Sequence, residues 1–147
     1  LARLTARKLG IGAAMAAALF LLIQVVPVSR TNPPVTIDLP APAPVKEILQ
    51  RSCYDCHSNE TRWPWYSRIA PVSWWMVEHV NEGRGDLNFS QWPVFDLESR
   101  QLFLRDIIEQ LEEKNMPLRS YVWGHPGARL SDQDRALLLD WARAEIQ

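Results

Sequence analysis

The segment Cys53-Tyr54-Asp55-Cys56-His57 holds the only two cysteines of the chain, with a histidine directly after the second. Two thiols three positions apart on one turn of backbone are placed to add to the two vinyl groups of a single porphyrin. The histidine that follows is carried under the ring, where its imidazole binds iron. Two other uses of such cysteines fit less well. A redox-active dithiol would follow a strand within a β-α-β pattern, which the sequence lacks. A structural zinc site needs about four ligands, and the remaining histidines, His79 and His125, are far apart and unpaired. The pentapeptide therefore reads as an attachment site for one covalent haem c, with Cys53 and Cys56 as the thioether partners and His57 as the proximal iron ligand.

A ligand on the opposite side of the iron has three candidates. Met116 precedes Pro117 after the end of a predicted helix, and the fixed φ and missing N–H of proline give that segment a defined, non-helical course. His79 falls on a helix face and His125 lies in the turn-rich Trp123-Gly124-His125-Pro126-Gly127. Met116 is preferred by position; the two histidines and an open iron stay as alternatives. A thioether stabilises Fe(II) relative to an imidazole, so a His57/Met116 pair implies a raised reduction potential and a closed, electron-carrying centre.

These residues must be held by a folded body, and the pattern predicts helices. Pro44 suits a first helical position, with Val45, Ile48 and Leu49 on one face leading into Cys53. A second helix is expected from Pro71 through Val72, Trp75, Met76, His79 and Val80, stopped by Gly83 and Gly85. Asp96 is the expected cap of a third, with Leu97, Leu104, Ile107, Ile108 and Leu111 as its apolar face, ending at Glu112-Glu113-Lys114-Asn115. Ser131 and Asp134 form an acidic variant of the capping box, opening a last helix with the stripe Leu137, Leu138, Trp141 and Ala142. Leu87-Asn88-Phe89-Ser90 reads as locally extended. Seven tryptophans supply aromatic surface; some are expected against the porphyrin, while Trp63 and Trp65 flank Pro64 in a loop.

The N-terminal part is different in kind. From Leu9 to Val28 the chain is apolar but for Gln24, long enough at about 20 residues to cross a bilayer. Arg3, Arg7 and Lys8 precede it, which predicts a cytoplasmic N-terminus and an exported body. A cleaved signal peptide is the competing reading, but the exit Val26-Pro27-Val28-Ser29-Arg30 lacks the small-x-small pattern of a cleavage site. Between Pro27 and Pro44 lie six of the eleven prolines, the composition of a semi-stiff tether. The expected organisation is residues 1–28 as cytoplasmic stub and transmembrane anchor, 29–44 as Pro-rich linker, and 45–147 as an all-α, cytochrome c-like domain wrapped around one haem. The exported part has a mild acidic excess and no basic stripe, which argues against nucleic acid as a partner.

The run from Cys53 continues as Ser58-Asn59-Glu60-Thr61, Trp63-Pro64-Trp65-Tyr66, Pro71-Val72-Ser73-Trp74, His79-Val80-x-x-Gly83-Arg84 and Leu87-Asn88-Phe89-Ser90-x-Trp92. Later come Met116-Pro117, His125-Pro126 and Leu130-Ser131. In these residues the chain resembles the bacterial haem-binding domain family of cytochrome c-like proteins, which usually stand behind a single N-terminal membrane anchor. The resemblance implies one covalent haem on Cys53 and Cys56, His57 as proximal ligand, and Met116 at the family's Met-Pro-Pro position, with Leu118 in place of the second proline. Arg84 is a candidate partner for a haem propionate, its guanidinium fork matching a carboxylate. The expected function is a membrane-anchored, monohaem electron carrier on the periplasmic face of a bacterial inner membrane, serving redox partner proteins rather than acting as an enzyme. The alternatives are a haem subunit docked on a larger membrane oxidoreductase, and a haem-based gas or redox sensor.

Overall fold

The structure is a computed structural model that describes residues 2–35 and 37–146; for residues 2–6, 93 and 94 it describes the backbone alone. Leu1, Thr36 and Gln147, and the side chain of Arg3, named above in the stub, linker and domain, lie outside the described residues. Helices alone make up the regular structure among them. They are α1 (Ala2–Ile23), α2 (Ala43–Ser52), α3 (Tyr54–His57), α4 (Val72–Asp86), α5 (Leu97–Glu112), α6 (Arg119–Gly124) and α7 (Asp132–Glu145). Short 3₁₀ segments lie at Trp65–Arg68, Phe89–Val94 and Pro126–Ala128. The chain divides into two compact units, one of residues 1–31 and 63–79, the other of residues 32–62 and 80–147.

The second unit is built on α2, α5 and α7, with α7 packed on both of the others. Its core joins Val45, Ile48 and Leu49 of α2 to Leu104 and Leu111 of α5 and Leu138, Trp141 and Ala142 of α7, with Phe89 and Trp92 closing one end. The ends of these helices follow the sequence. Asp96 caps α5 by accepting from the Ser99 N–H at 2.7 Å, and the Ser131–Asp134 capping box is present in both directions. At the far end of α5 the Asn115 N–H bonds to the Gln110 carbonyl and the Lys114 N–H to that of Leu111, the pair of bonds that defines a Schellman ending. Lys114 takes the left-handed position with φ of 59°, and the Met116 N–H also reaches the Gln110 carbonyl at 3.4 Å. The start of the Met116-Pro117 segment is thus set by the helix that precedes it.

Several expectations are corrected. Gly83 and Gly85 do not stop α4, which continues through both to Asp86. Leu97 and Leu137, placed on buried stripes, are exposed: Leu97 stands at the first position of its helix, and next to Leu137 it is Leu138 that the core takes. The linker is not a free tether over its whole length. Leu39 is buried in the core; Asp38 pairs with Lys46 and accepts from the Tyr54 hydroxyl at 2.7 Å. The linker from Asn32 onward thereby belongs to the second unit.

In the first unit, α1 ends at Ile23, short of the Val28 at which the apolar stretch ends. Among the described residues no helix is long and apolar enough to cross a membrane. The apolar helical part, from Leu9 to Ile23, is about 22 Å long at ~1.5 Å per residue, against a hydrocarbon thickness of about 30 Å. The expected transmembrane helix over Leu9–Val28 is corrected accordingly. The surface of α1 is nevertheless strongly apolar, with Leu9, Met15, Leu19, Leu21 and Leu22 all exposed.

Adjacent positions on α7 test the packing register. Leu138 is 1 % exposed and Leu137 38 %. Leu138→Ala should lower unfolding free energy by about 2–5 kcal/mol through loss of burial and the void left behind. Leu137→Ala should cost under ~1 kcal/mol, as substitutions away from the core do. Denaturant titrations of the two variants measure the difference, and equal losses would place the helix in another register.

Candidate functional site

Helix α2 delivers the cysteines. The Cys53 N–H bonds to the Leu49 carbonyl at 2.8 Å, and the Cys53 carbonyl accepts from the N–H groups of Cys56 (3.1 Å) and His57 (2.9 Å). Cys53 therefore ends α2 and opens the single turn α3, and both thiols and the imidazole issue from one tight loop of backbone. The cysteines are not joined as a disulfide. Burial pushes the Cys53 thiol up to about 12 and, with help from the Asp55 carboxylate, the Cys56 thiol up to about 11. A reactive dithiol has its pKa depressed by nearby positive charge; these two are shifted the other way and stay protonated.

His57 is fixed through one ring nitrogen. Its Nδ1 lies 2.8 Å from the Gly83 carbonyl and 3.2 Å from the Leu87 carbonyl. Two acceptors require Nδ1 to carry the proton, which leaves the lone pair on Nε2 and defines the tautomer that binds metal. Burial lowers the imidazole pKa, against the two carbonyl bonds and the Asp86 charge, which raise it; the net shift favours the neutral, ligating form. The approach of α4 that makes this bond depends on Gly83. A Cβ there would stand 2.9 Å from the Cys56 carbonyl oxygen and 3.1 Å from the Cys56 Cβ.

A polar network locks the turn to the end of α4. Arg84 donates from Nε to the Ser58 carbonyl at 2.8 Å and from Nη2 to Thr61 Oγ1 and Asn32 Oδ1. Asn88 donates to Asn59 Oδ1 at 2.9 Å and accepts from the Ser90 N–H, while Ser90 Oγ accepts from the Asn59 N–H. Ser58, Asn59, Thr61, Asn88 and Ser90 are all buried, and buried polar groups stabilise only when bonded in this way. On the other flank, Asp55 Oδ1 accepts from the Arg62 N–H at 3.0 Å and Oδ2 from the Tyr121 hydroxyl at 2.7 Å. Tyr121 belongs to α6, the helix entered directly from Met116-Pro117-Leu118. One residue between the two cysteines is thereby bonded to the element that follows the methionine.

Cys53, His57 and Met116 line a single cavity of about 430 Å³. Its walls are Leu49, Leu87, Phe89, Phe103, Ile107, Leu111 and Leu138, and its polar edge is Asp86, Asp106 and Gln110. The volume lies in the range of cofactor sites, about 300–1,000 Å³. A mostly apolar wall with a thiol, a pre-oriented imidazole and a thioether opening on it fits a haem. No lysine or arginine is among the lining residues.

Other expected residues stand elsewhere. Cys56 is partly exposed but is not among the lining residues. Arg84, the expected propionate partner, donates to one backbone and two side-chain oxygens and is not among the lining residues. His79 packs its ring 4.4 Å from Trp75, and His125 stacks on Tyr121 at 4.3 Å; neither lines the cavity. None of the seven tryptophans does so either, the aromatic wall being Phe89 and Phe103. Trp92 and Trp141 fill the core instead, and Trp65 and Trp123 are exposed.

The two glycines of α4 give a paired test. Alanine in a helix is favoured over glycine by about 1 kcal/mol, and Gly85 has open space around it, so Gly85→Ala should raise stability by up to that amount. At Gly83 the same gain is outweighed by overpacking against backbone, about 1–3 kcal/mol; Gly83→Ala should lower both thermal stability and haem incorporation. Tyr121→Phe should cost about 1–3 kcal/mol by leaving a buried Asp55 oxygen without its donor. Calorimetry on the three variants checks the signs, and a stabilised Gly83→Ala would show that α4 does not press on the turn.

A family model described as a haem-binding domain matches residues 18–144. No curated protein and no solved structure matches the chain. The match spans both cysteines, His57, Met116 and every residue of the cavity between them, and the chain belongs to the haem-binding domain family.

Proposed function

We propose that the protein is a monohaem c-type cytochrome that carries single electrons on the extracytoplasmic side of a bacterial membrane, to which α1 attaches it. The observation that carries this reading is that His57 and Met116 open on one cavity, with the His57 tautomer set for ligation. When bound, haem supplies an iron that alternates between Fe(II) and Fe(III).

The residues divide the remaining work. Cys53 and Cys56 hold the group through thioethers, so that it is not lost when the iron changes charge. His57, braced by the carbonyls of Gly83 and Leu87, would hold its Nε2 toward the iron in one orientation, which would limit the rearrangement that accompanies electron transfer. Met116 supplies a soft thioether that favours the ferrous state and raises the potential. Leu49, Phe89, Ile107 and Leu138 exclude water, which further disfavours the more highly charged ferric state. With His57 and Met116 both given to the iron, no position would be left open for a substrate, which favours transport of electrons over catalysis. Attachment to the membrane rests on the exposed apolar surface of α1, with Arg7 and Lys8 near its start suited to anionic lipid headgroups. The partners are redox proteins of the same compartment or a membrane oxidoreductase.

Optical spectra of the purified protein test the assignment. A low-spin spectrum in both oxidation states, with a weak ferric band at the red end that reports sulfur ligation, is expected. Met116→Ala should retain the covalent haem, lose that band, lower the potential and bind carbon monoxide rapidly. Cys53→Ala and Cys56→Ala should each impair attachment, read as loss of haem under denaturing conditions. An unchanged spectrum and potential in Met116→Ala would assign the sixth position to another group.

A further inference from the structure

We propose that residues 63–79 form a second membrane contact, a foot that rests in the headgroup region of the bilayer; this builds on the attachment by α1 inferred above. The argument lies wholly within the first unit, which joins this segment to α1. Gln24, the first residue after α1, uses both ends of its amide on one residue of the segment. Its Nε2 donates to the Ala70 carbonyl at 3.2 Å and its Oε1 accepts from the Ala70 N–H at 2.9 Å. The same Nε2 donates to the Phe20 carbonyl at 2.9 Å, inside the last turn of α1. Arg30 adds a bond from Nη1 to the Ser67 carbonyl at 3.3 Å. The backbone from Ser67 to Ala70 is therefore pinned at the level where the apolar helix stops.

Around this pinned stretch, large apolar side chains point into solvent: Trp65 is 74 % exposed, Ile69 37 %, Val72 41 % and Trp75 46 %. Val72 and Trp75 are three apart on α4 and share a face. Four such side chains within eleven residues are a poor water-facing surface but a good interfacial one, since tryptophan places an apolar ring and a polar N–H at the boundary between acyl chains and headgroups. The cations complete the match. Arg30 and Arg68 line one cleft of about 190 Å³ together with Gln24 and Ala70, and a guanidinium fork suits a phosphate. Continuity with the exposed apolar surface of α1 and this charge complementarity select a phospholipid surface as the occupant, over a second copy or another protein.

The experiment uses the full, haem-loaded chain in phosphatidylcholine–phosphatidylglycerol vesicles, with photoreactive p-benzoylphenylalanine placed singly at Leu19, Trp65, Trp75 or Asp140. After irradiation, adducts are weighed by mass spectrometry. Lipid adducts are expected at positions 19, 65 and 75, with yields at 65 and 75 at least about fivefold above position 140, as interfacial residues should show. Gln24→Leu should lower the yields at 65 and 75 and leave that at 19 unchanged. Adducts at 19 without adducts at 65 or 75 would overturn the foot while the attachment stands. Protein–protein adducts at 65 or 75 would assign the face to a polypeptide partner and also overturn it. Absence of lipid adducts at 19 would remove the attachment, and the foot with it.

Discussion

The hydrogen bond between His57 Nδ1 and the Gly83 carbonyl is the constraint on which the site depends. It selects the ring tautomer, aims the other nitrogen, and requires α4 to press against the Cys53–His57 turn more closely than any side chain at position 83 permits. The Gly83 carbonyl also accepts the Leu87 N–H at 3.0 Å, so the contact that orients the imidazole also extends the ladder of α4 by one bond. Site and helix are specified together. Ser58, Asn59, Thr61, Arg84, Asn88 and Ser90 brace the turn and hold α4 at this distance, each through a hydrogen bond, because an unbonded polar group in that position would be costly.

The opposite wall is set by packing. Helix α5 presents Leu104 and Leu111 to the core and turns Phe103, Asp106, Ile107 and Gln110 toward the cavity. It then ends in a Schellman motif whose hydrogen bonds reach as far as Met116. Proximal and distal candidate ligands thus come from elements about sixty residues apart, and what relates them is the apolar contact of α2 and α5 with α7.

The spacing of two thiols and an imidazole is local chemistry, and so are helix caps; both were legible from residue types alone. The course of α5, the capping box at Ser131 and the buried trio of Leu138, Trp141 and Ala142 followed from periodicity. The cavity face of α5 did not, although Phe103, Asp106, Ile107, Gln110 and Leu111 keep a regular helical spacing. Two of the five are polar, and a stripe that lines a cofactor site rather than a core breaks the apolar pattern by which stripes are recognised. Gly83 shows a similar limit: sequence shows only that glycine weakens a helix, whereas its value here lies in Cys56, 27 positions away. Sequence shows that the Arg84 guanidinium suits a carboxylate, but not that Ser58, Thr61 and Asn32 offer it oxygens within the fold. The linker was read from its prolines, which said nothing of Leu39 and its place in the core.

The Tyr121–Asp55 bond ties together two stretches of chain that the core alone would leave independent. Asp55 stands between the cysteines, and Tyr121 belongs to the helix entered from Met116-Pro117-Leu118. A hydrogen bond to a charged group is worth about 1.5–3 kcal/mol, so the length of backbone that carries the thioether is moored, through one phenol, to the turn that carries the thiols.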